Sequence, residues 1–221
     1  MPEDSNLSLG EEPDEDLSRP RPAVLVIIDG WGIAPAGEGN AITAAPMTVI
    51  RSLIKEYPVA ALRTGQADWN RRYLAIGCGR DDQPEDVPPP ATLSAAVAAA
   101  GLRQIKICDS ERFAALTYFF NGLTEDRASA EDWQVVSTPG GRGDKALADF
   151  QAVIKAAVKA IKDPEPADFI VISISYLDLV ATAAAGRMEP ALAAAVAIDK
   201  GLKSLRAAVS AQRGLLILSS A

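Results

Sequence analysis

Residues 24–41 read VLVIIDGWGIAPAGEGNA. With Ala23 in front, the first of them form an unbroken apolar run, AVLVII, that ends at Ile28 and is followed by Asp29 and Gly30. A strand with no polar face suits a parallel sheet covered by helices on both sides, and its carboxyl end is expected to open into a loop. In the DGWG that follows, Gly30 and Gly32 can supply tight backbone geometry while Trp31 fills core, or the motif can hold a ligand.

Working outward, Thr48 to Tyr57 is amphipathic and stops at Pro58, and Val59 to Leu62 reads as a short strand. DDQPEDVPPP at 81–90 mixes prolines and acids without periodicity and reads as a linker. Beyond it the spacing predicts a helix over Leu93–Ala100 closed by Gly101, a strand over Gln104–Ile107, and a helical turn over Ser110–Ala115 leading into Leu116–Phe120. Asp144–Ile161 reads as a long helix with an apolar stripe of Leu147, Phe150, Ile154, Val158 and Ile161. A buried strand at Phe169–Ile174, a helix at Glu189–Ala208 and a strand at Leu215–Leu218 complete the series. The last helix is rich in small residues, which suits packing on the sheet or, alternatively, a subunit interface of a homo-oligomer. Strands alternating with helices imply an α/β fold, a three-layer αβα sandwich around a mostly parallel sheet. Chemistry in such sheets gathers at the carboxyl ends of strands, where Asp29, Asp178 and the Ser219-Ser220-Ala221 end are expected.

Composition narrows the function classes. At 221 residues and 48% hydrophobic, the chain can bury a core of one domain, with or without a small appendage. No apolar run approaches the roughly 18–20 residues that span a bilayer, and the acidic start, MPEDSNLSLGEEPDED, is unlike a signal peptide, so a soluble cytoplasmic protein is expected. Cys78 and Cys108 lack the spacing of a zinc site or a disulfide framework and read as buried small hydrophobes. A net charge of -7, from 22 basic and 29 acidic residues, disfavours nucleic acid as a partner. Residues 1–20 carry seven carboxylates and three prolines with little that is apolar, and read as a tail, either a solubilising leader or a segment that docks on a basic partner.

Several stretches, taken in order, resemble one family. VLVIIDGWGIAPAGEGNAI, then IKEYPVAALRTG and YLAIGCGR, resemble the start of cofactor-independent phosphoglycerate mutase, in the alkaline phosphatase superfamily. AAAGLRQIKICDSERFAALTYFFNG and ADFIVISISYLDLVATAAAG, with the helix that carries Asp199, resemble its later phosphatase-domain segments, so the likeness runs from Arg21 to Ala221. The resemblance implies an alkaline-phosphatase-like fold for 21–221. It further implies two manganese ions, a serine nucleophile, and an inserted domain whose arginines bind phosphoglycerate.

Asp29 and Asp178 stand where the family has metal-binding aspartates. The family's Asn-Ser-Glu-Val-Gly-His, however, is replaced by DWNRRY ahead of LAIGCGR, which puts Trp69 at the serine position and Tyr73 at the histidine position. Thr182 stands where the family's Asp-x-x-x-His has its histidine, Arg112 replaces an active-site lysine, and Ala115 replaces a nearby histidine. An Asp-His-Gly is expected after the last strand, where this sequence reaches Ala221, and the linker 81–90 stands where the inserted domain would be.

The chemistry then points away from catalysis. Two divalent cations need several carboxylates and imidazoles converging on one pocket, and an activated serine must be present. Asp29 and Asp178 alone would hold at most one Mg²⁺ or Mn²⁺, weakly and with waters completing its shell. General acid/base work by the pair would lack a supporting histidine. Trp69, Arg71, Arg72 and Tyr73, with Arg112, could instead form an anion- or protein-binding patch through stacking and cation–π contacts, or the stretch could be a solvated loop. The expectation is a pseudoenzyme of the phosphoglycerate mutase type, without a resident cofactor, serving as a structural or protein-binding subunit. The acidic tail, the linker and the surface uncovered by loss of the inserted domain are the places to look for its partner. The alternatives are a residual metal-dependent phosphohydrolase using Asp29 and Asp178, or a site completed by another chain.

Overall fold

The computed structural model describes residues 19–62, 68–80, 82, 84, 86–138 and 142–221. Most of the expected tail and parts of the linker therefore lie outside the described residues. Five described strands, β1 (Ala23–Ile28), β2 (Gln104–Asp109), β3 (Glu131–Val136), β4 (Phe169–Ile174) and β5 (Leu215–Ser220), form one sheet in the order β3-β2-β4-β1-β5. Every pairing is parallel. Seven described α-helices connect and cover them: α1 (Ala41–Ala44), α2 (Val49–Glu56), α3 (Trp69–Cys78), α4 (Leu93–Ala99), α5 (Arg142–Ile161), α6 (Tyr176–Ala183) and α7 (Met188–Ala211).

The apolar run that opens the chain is buried because both faces of β1 are used. Val24, Val26 and Ile28 pack with Ile170, Ile172 and Ile174 of β4 against α5, α6 and α7. Leu25 and Ile27 turn the other way, toward Tyr73 of α3 and Leu116 and Phe120. Each such aliphatic side chain contributes roughly 1.5–3 kcal/mol when fully buried. The α7 side is thickened by α1 and α2. Asp199 of α7 accepts the backbone N–H groups of Thr48, Val49 and Ile50 at 2.9, 3.1 and 2.9 Å, which satisfies the amino end of α2 and ties it to α7.

The YFFNG stretch serves packing. After β2 the chain makes a 3₁₀ turn (Ser110–Arg112) and a π-helix (Ala115–Phe119). Asn121 then joins a buried polar cluster with Lys106, Ser94 and Glu131, in which the Lys106–Glu131 ion pair measures 2.8 Å. Gly122 has φ +80, and a Cβ there would stand 2.6 Å from Thr92 and 2.7 Å from Pro89, so the residue after the asparagine is held to glycine.

Several expectations are corrected. Val59–Leu62 is not a strand; it lies exposed and pairs with none of the five described strands. WNRRY is not a loop but the opening of α3, capped by the Asp68 side chain and closed by Gly79 in the left-handed region. The α5 stripe is rotated: Phe150, Val153, Ala157 and Ile161 are buried, whereas Leu147 is exposed. Cys108 is buried as expected, but Cys78 is half-buried. Strand β3 and helix α6 were not anticipated, and the mostly parallel sheet proves wholly parallel. No described helix is long and apolar enough to cross a membrane.

Candidate functional site

Period-two alternation decides which way the first aspartate faces. Asp29 follows Ile28 and so falls on the α3 side of the sheet, at the carboxyl end of β1. Its backbone N–H donates to Ile174 O of β4 at 2.9 Å. Gly30 comes next, with φ +76, and a Cβ there would lie 3.1–3.3 Å from Asp178. This close approach requires glycine and brings the start of α6, with Asp178 in its first turn, beside the β1 loop. Asp178 thus sits just beyond the end of β4.

Between the two carboxylates stands Arg112, the last residue of the 3₁₀ turn after β2. Its Nε donates to Asp29 Oδ2 and its Nη2 to Asp178 Oδ2, one donor to each aspartate. The Trp69 ring lies against the guanidinium, 4.4 Å from Cζ to the ring centroid. Tyr73, four residues on and therefore on the same face of α3, donates its hydroxyl to Asp29 Oδ1 at 3.0 Å and sits 2.5 Å from Ser173 Oγ of β4. Asp29 is 1% exposed and Arg112 3%, while the Asp178 side chain is 36% exposed. The cluster is open to solvent on the Asp178 side.

The electrostatics follow from that burial. Burial pushes the Asp29 carboxyl up to about 6, against the opposing pull of the Arg112 charge and the hydrogen bonds from Arg112 and Tyr73. Burial opposes the charge on Arg112, yet Asp29 and Asp178 outweigh it and hold the guanidinium above its ordinary value. Burial, followed by the negative charge of Asp29, raises the Tyr73 phenol well above its usual range, so it stays a donor. Asp109, at the end of β2, is also raised by burial and accepts from Ser175 Oγ and from Glu111 N.

Asp29, Asp178, Arg112, Trp69 and Tyr73 thus converge on one point, although they do not make a surface patch, because Tyr73 and Arg112 are interior. Arg71 and Arg72 are half-buried on α3, and Arg72 Nε has no hydrogen-bond partner among the described residues. Ala115 is buried under the cluster's side of the sheet, and Thr182 is exposed on α6. The contributions of Ser173, Ser175 and Asp109 were missed by the sequence reading. The signal for Tyr73 was present: Asp68 and Gly79 bracket a helix on which Trp69 and Tyr73 share a face.

Comparisons with known proteins place the fold in a family. A family model described as the metalloenzyme superfamily matches residues 21–220. The chain is 24% identical over 216 residues to the 2,3-bisphosphoglycerate-independent phosphoglycerate mutase of Myxococcus xanthus, covering 90% of this chain and 41% of that protein. With the enzyme of the same name from Symbiobacterium thermophilum it is 33% identical over 163 residues, covering 73% of this chain and 30% of the relative. The chain therefore spans less than half the length of these relatives. Among solved structures, Leishmania mexicana phosphoglycerate mutase superposes with a TM-score of 0.52 at 24% identity, over 60% of this chain and 25% of that one. A Pyrococcus horikoshii protein matches with a TM-score of 0.50 at 13% identity, over 87% of this chain and 75% of the other. The wholly parallel sheet with helices on both faces is the alkaline-phosphatase-like arrangement expected from the resemblance, and the chain belongs to the metalloenzyme superfamily.

Proposed function

We propose that this chain is a phosphoglycerate-mutase-like domain without catalytic activity, acting in the cytoplasm as a structural or protein-binding subunit of a larger assembly. One observation carries the reading: the position between the two aspartates is filled by the Arg112 guanidinium and covered by Trp69. Phosphoryl transfer through a covalent intermediate needs a nucleophile at that point, and an indole has no lone pair to offer in its place. The Tyr73 hydroxyl donates to Asp29, but burial and the Asp29 charge both disfavour its phenolate.

The residues present do not fit a divalent cation. The sequence contains no histidine, and among the described residues no three Cys, Asp or Glu side chains cluster as metal ligands. Both Oδ2 atoms that face the gap accept from Arg112, and Oδ1 of Asp29 accepts from Tyr73. Arg112, a cation that cannot be deprotonated, already places one positive charge between the carboxylates, where a divalent metal would bring two.

The experiment is an assay of the purified chain for phosphoglycerate mutase and phosphomonoesterase turnover with Mn²⁺ or Mg²⁺ supplied, followed by native mass measurement of the protein isolated from its own cells. No turnover, together with a stoichiometric complex, is expected. Turnover that Asp29→Asn abolishes would remove the reading in favour of a metal-dependent phosphohydrolase. Activity appearing only on mixing with another chain would show a site completed in trans.

A further inference from the structure

We infer that Arg112 is a built-in replacement for a divalent cation between Asp29 and Asp178, and that removing it uncovers a cation site the native chain keeps closed. The inference rests on the non-catalytic reading and adds what holds the site together in place of metal. The guanidinium reaches each carboxylate with a different nitrogen, so a single positive charge bridges the end of β1 and the start of α6, as an ion held by both would.

The surroundings are specific to an organic cation. Arg112 Cζ lies over the Trp69 ring, 4.4 Å from its centroid, a contact that favours a weakly hydrated planar cation. Glu111 O accepts a long hydrogen bond from Nη1 at 3.5 Å, which orients the fork. Arg112, leaving β2, ties the end of β1 to the start of α6 through its side chain.

Deleting the side chain would leave a buried Asp29 carboxylate without its counter-ion, a costly state that a small cation can relieve. Space is vacated between the two Oδ2 atoms, and the exposed side of Asp178 leaves a path for a hydrated ion. Oxygen ligands and retained waters fit Mg²⁺ or Mn²⁺ better than a softer ion.

The test is to titrate Mn²⁺ into the wild-type chain, Arg112→Ala, and Arg112→Ala combined with Asp29→Asn. Uptake is followed by calorimetry and by the paramagnetic signal of free Mn²⁺, with melting temperatures recorded alongside. The wild type is expected to take up none in an Asp29-dependent way and to melt at the same temperature with Mn²⁺ or with chelator. R112A is expected to melt lower, to bind about one Mn²⁺ per chain, and to gain roughly 3–6 °C when Mn²⁺ reaches about ten times its Kd. The double variant is expected to lose that binding.

Asp29-dependent uptake by the wild type would overturn the inference, as would an R112A chain that folds and binds no Mn²⁺. If R112A is unfolded without metal, folding on addition of Mn²⁺ supports the inference and failure to fold at any Mn²⁺ concentration overturns it. Arg112→Gln, which keeps a planar polar end without charge, is expected to give the same Asp29-dependent uptake. Mn²⁺ uptake by the wild type without turnover would sink this inference alone, whereas turnover would sink the non-catalytic reading.

Discussion

Asp29 is held by opposing forces whose balance is measurable. Burial raises its carboxyl from 3.8 to about 6 even though Arg112 and Tyr73 pull the other way. Between those values the folded chain keeps a proton that the unfolded chain has released. The contribution of this group to stability is therefore full below about pH 4 and is lost as the pH rises through about 6. A shift of this size corresponds to about 3 kcal/mol. Asn at this position has no such proton, so the wild type should lose on the order of 2–3 kcal/mol relative to D29N between about pH 4 and about pH 7 in urea unfolding. A slope of the opposite sign would mean that the Arg112 ion pair outweighs burial. The place of Asp29 at the carboxyl end of a buried strand was legible from the run that ends before it, but its hydrogen-bond partners were not, because Arg112 lies 83 positions away in sequence.

Helix α3 shows how a stretch with a polar start is turned into packing. Its amino end is capped by Asp68 and carries Trp69 and Tyr73 into the aspartate cluster, while Gly77 lies against the π-helix that follows β2. A Cβ on Gly77 would stand 2.0 Å from the Phe120 carbonyl oxygen, and that atom is backbone, so it cannot swing away. Gly77→Ala is expected to destabilise the chain by about 2–3 kcal/mol despite the roughly 1 kcal/mol by which alanine favours a helix. A neutral result in denaturant unfolding would show that α3 can retreat from Phe120. The capping residues made this helix readable in principle. The reading missed it because the polar start WNRRY hides the apolar face until the helix is drawn. Strand β3 was missed for a different reason: it is a sheet edge, so EDWQVV carries no regular alternation of buried and exposed residues.

For the whole molecule, the two faces of the sheet are covered unequally. Five helices crowd the side of α5 and α7, but α3, α4 and the π-helix on the other side reach only the middle strands. Leu215 and Ile217 of the edge strand β5, which project to that thinner side, stay 46% and 42% exposed. An edge strand with exposed aliphatic residues is a template for association. Ile217→Lys should leave the melting temperature within about 2 °C of the wild type, since surface changes cost little. It should also reduce concentration-dependent association in sedimentation velocity, and unchanged association would place the contact elsewhere. An α/β architecture was legible at this scale from the alternation of apolar runs and amphipathic stretches. The unequal coverage was not, because it depends on which face each connection crosses.

The sequence by itself determined which side-chain chemistries these 221 residues can offer. A chain without histidine cannot present an imidazole at any site by folding, whatever its topology. It also determined the central strands, since long aliphatic runs are stable only where both faces are buried. Only the tertiary structure decided what meets Asp29. Asp29, Tyr73, Arg112 and Asp178 come from four separate segments, and local periodicity reports how much of a residue is buried without reporting what it meets. Their meeting follows from the strand order, which sets β1 beside β4 and β4 beside β2, so that the segments leaving these three strands turn into one corner. There a buried carboxylate must find a counter-charge, and Arg112 provides it.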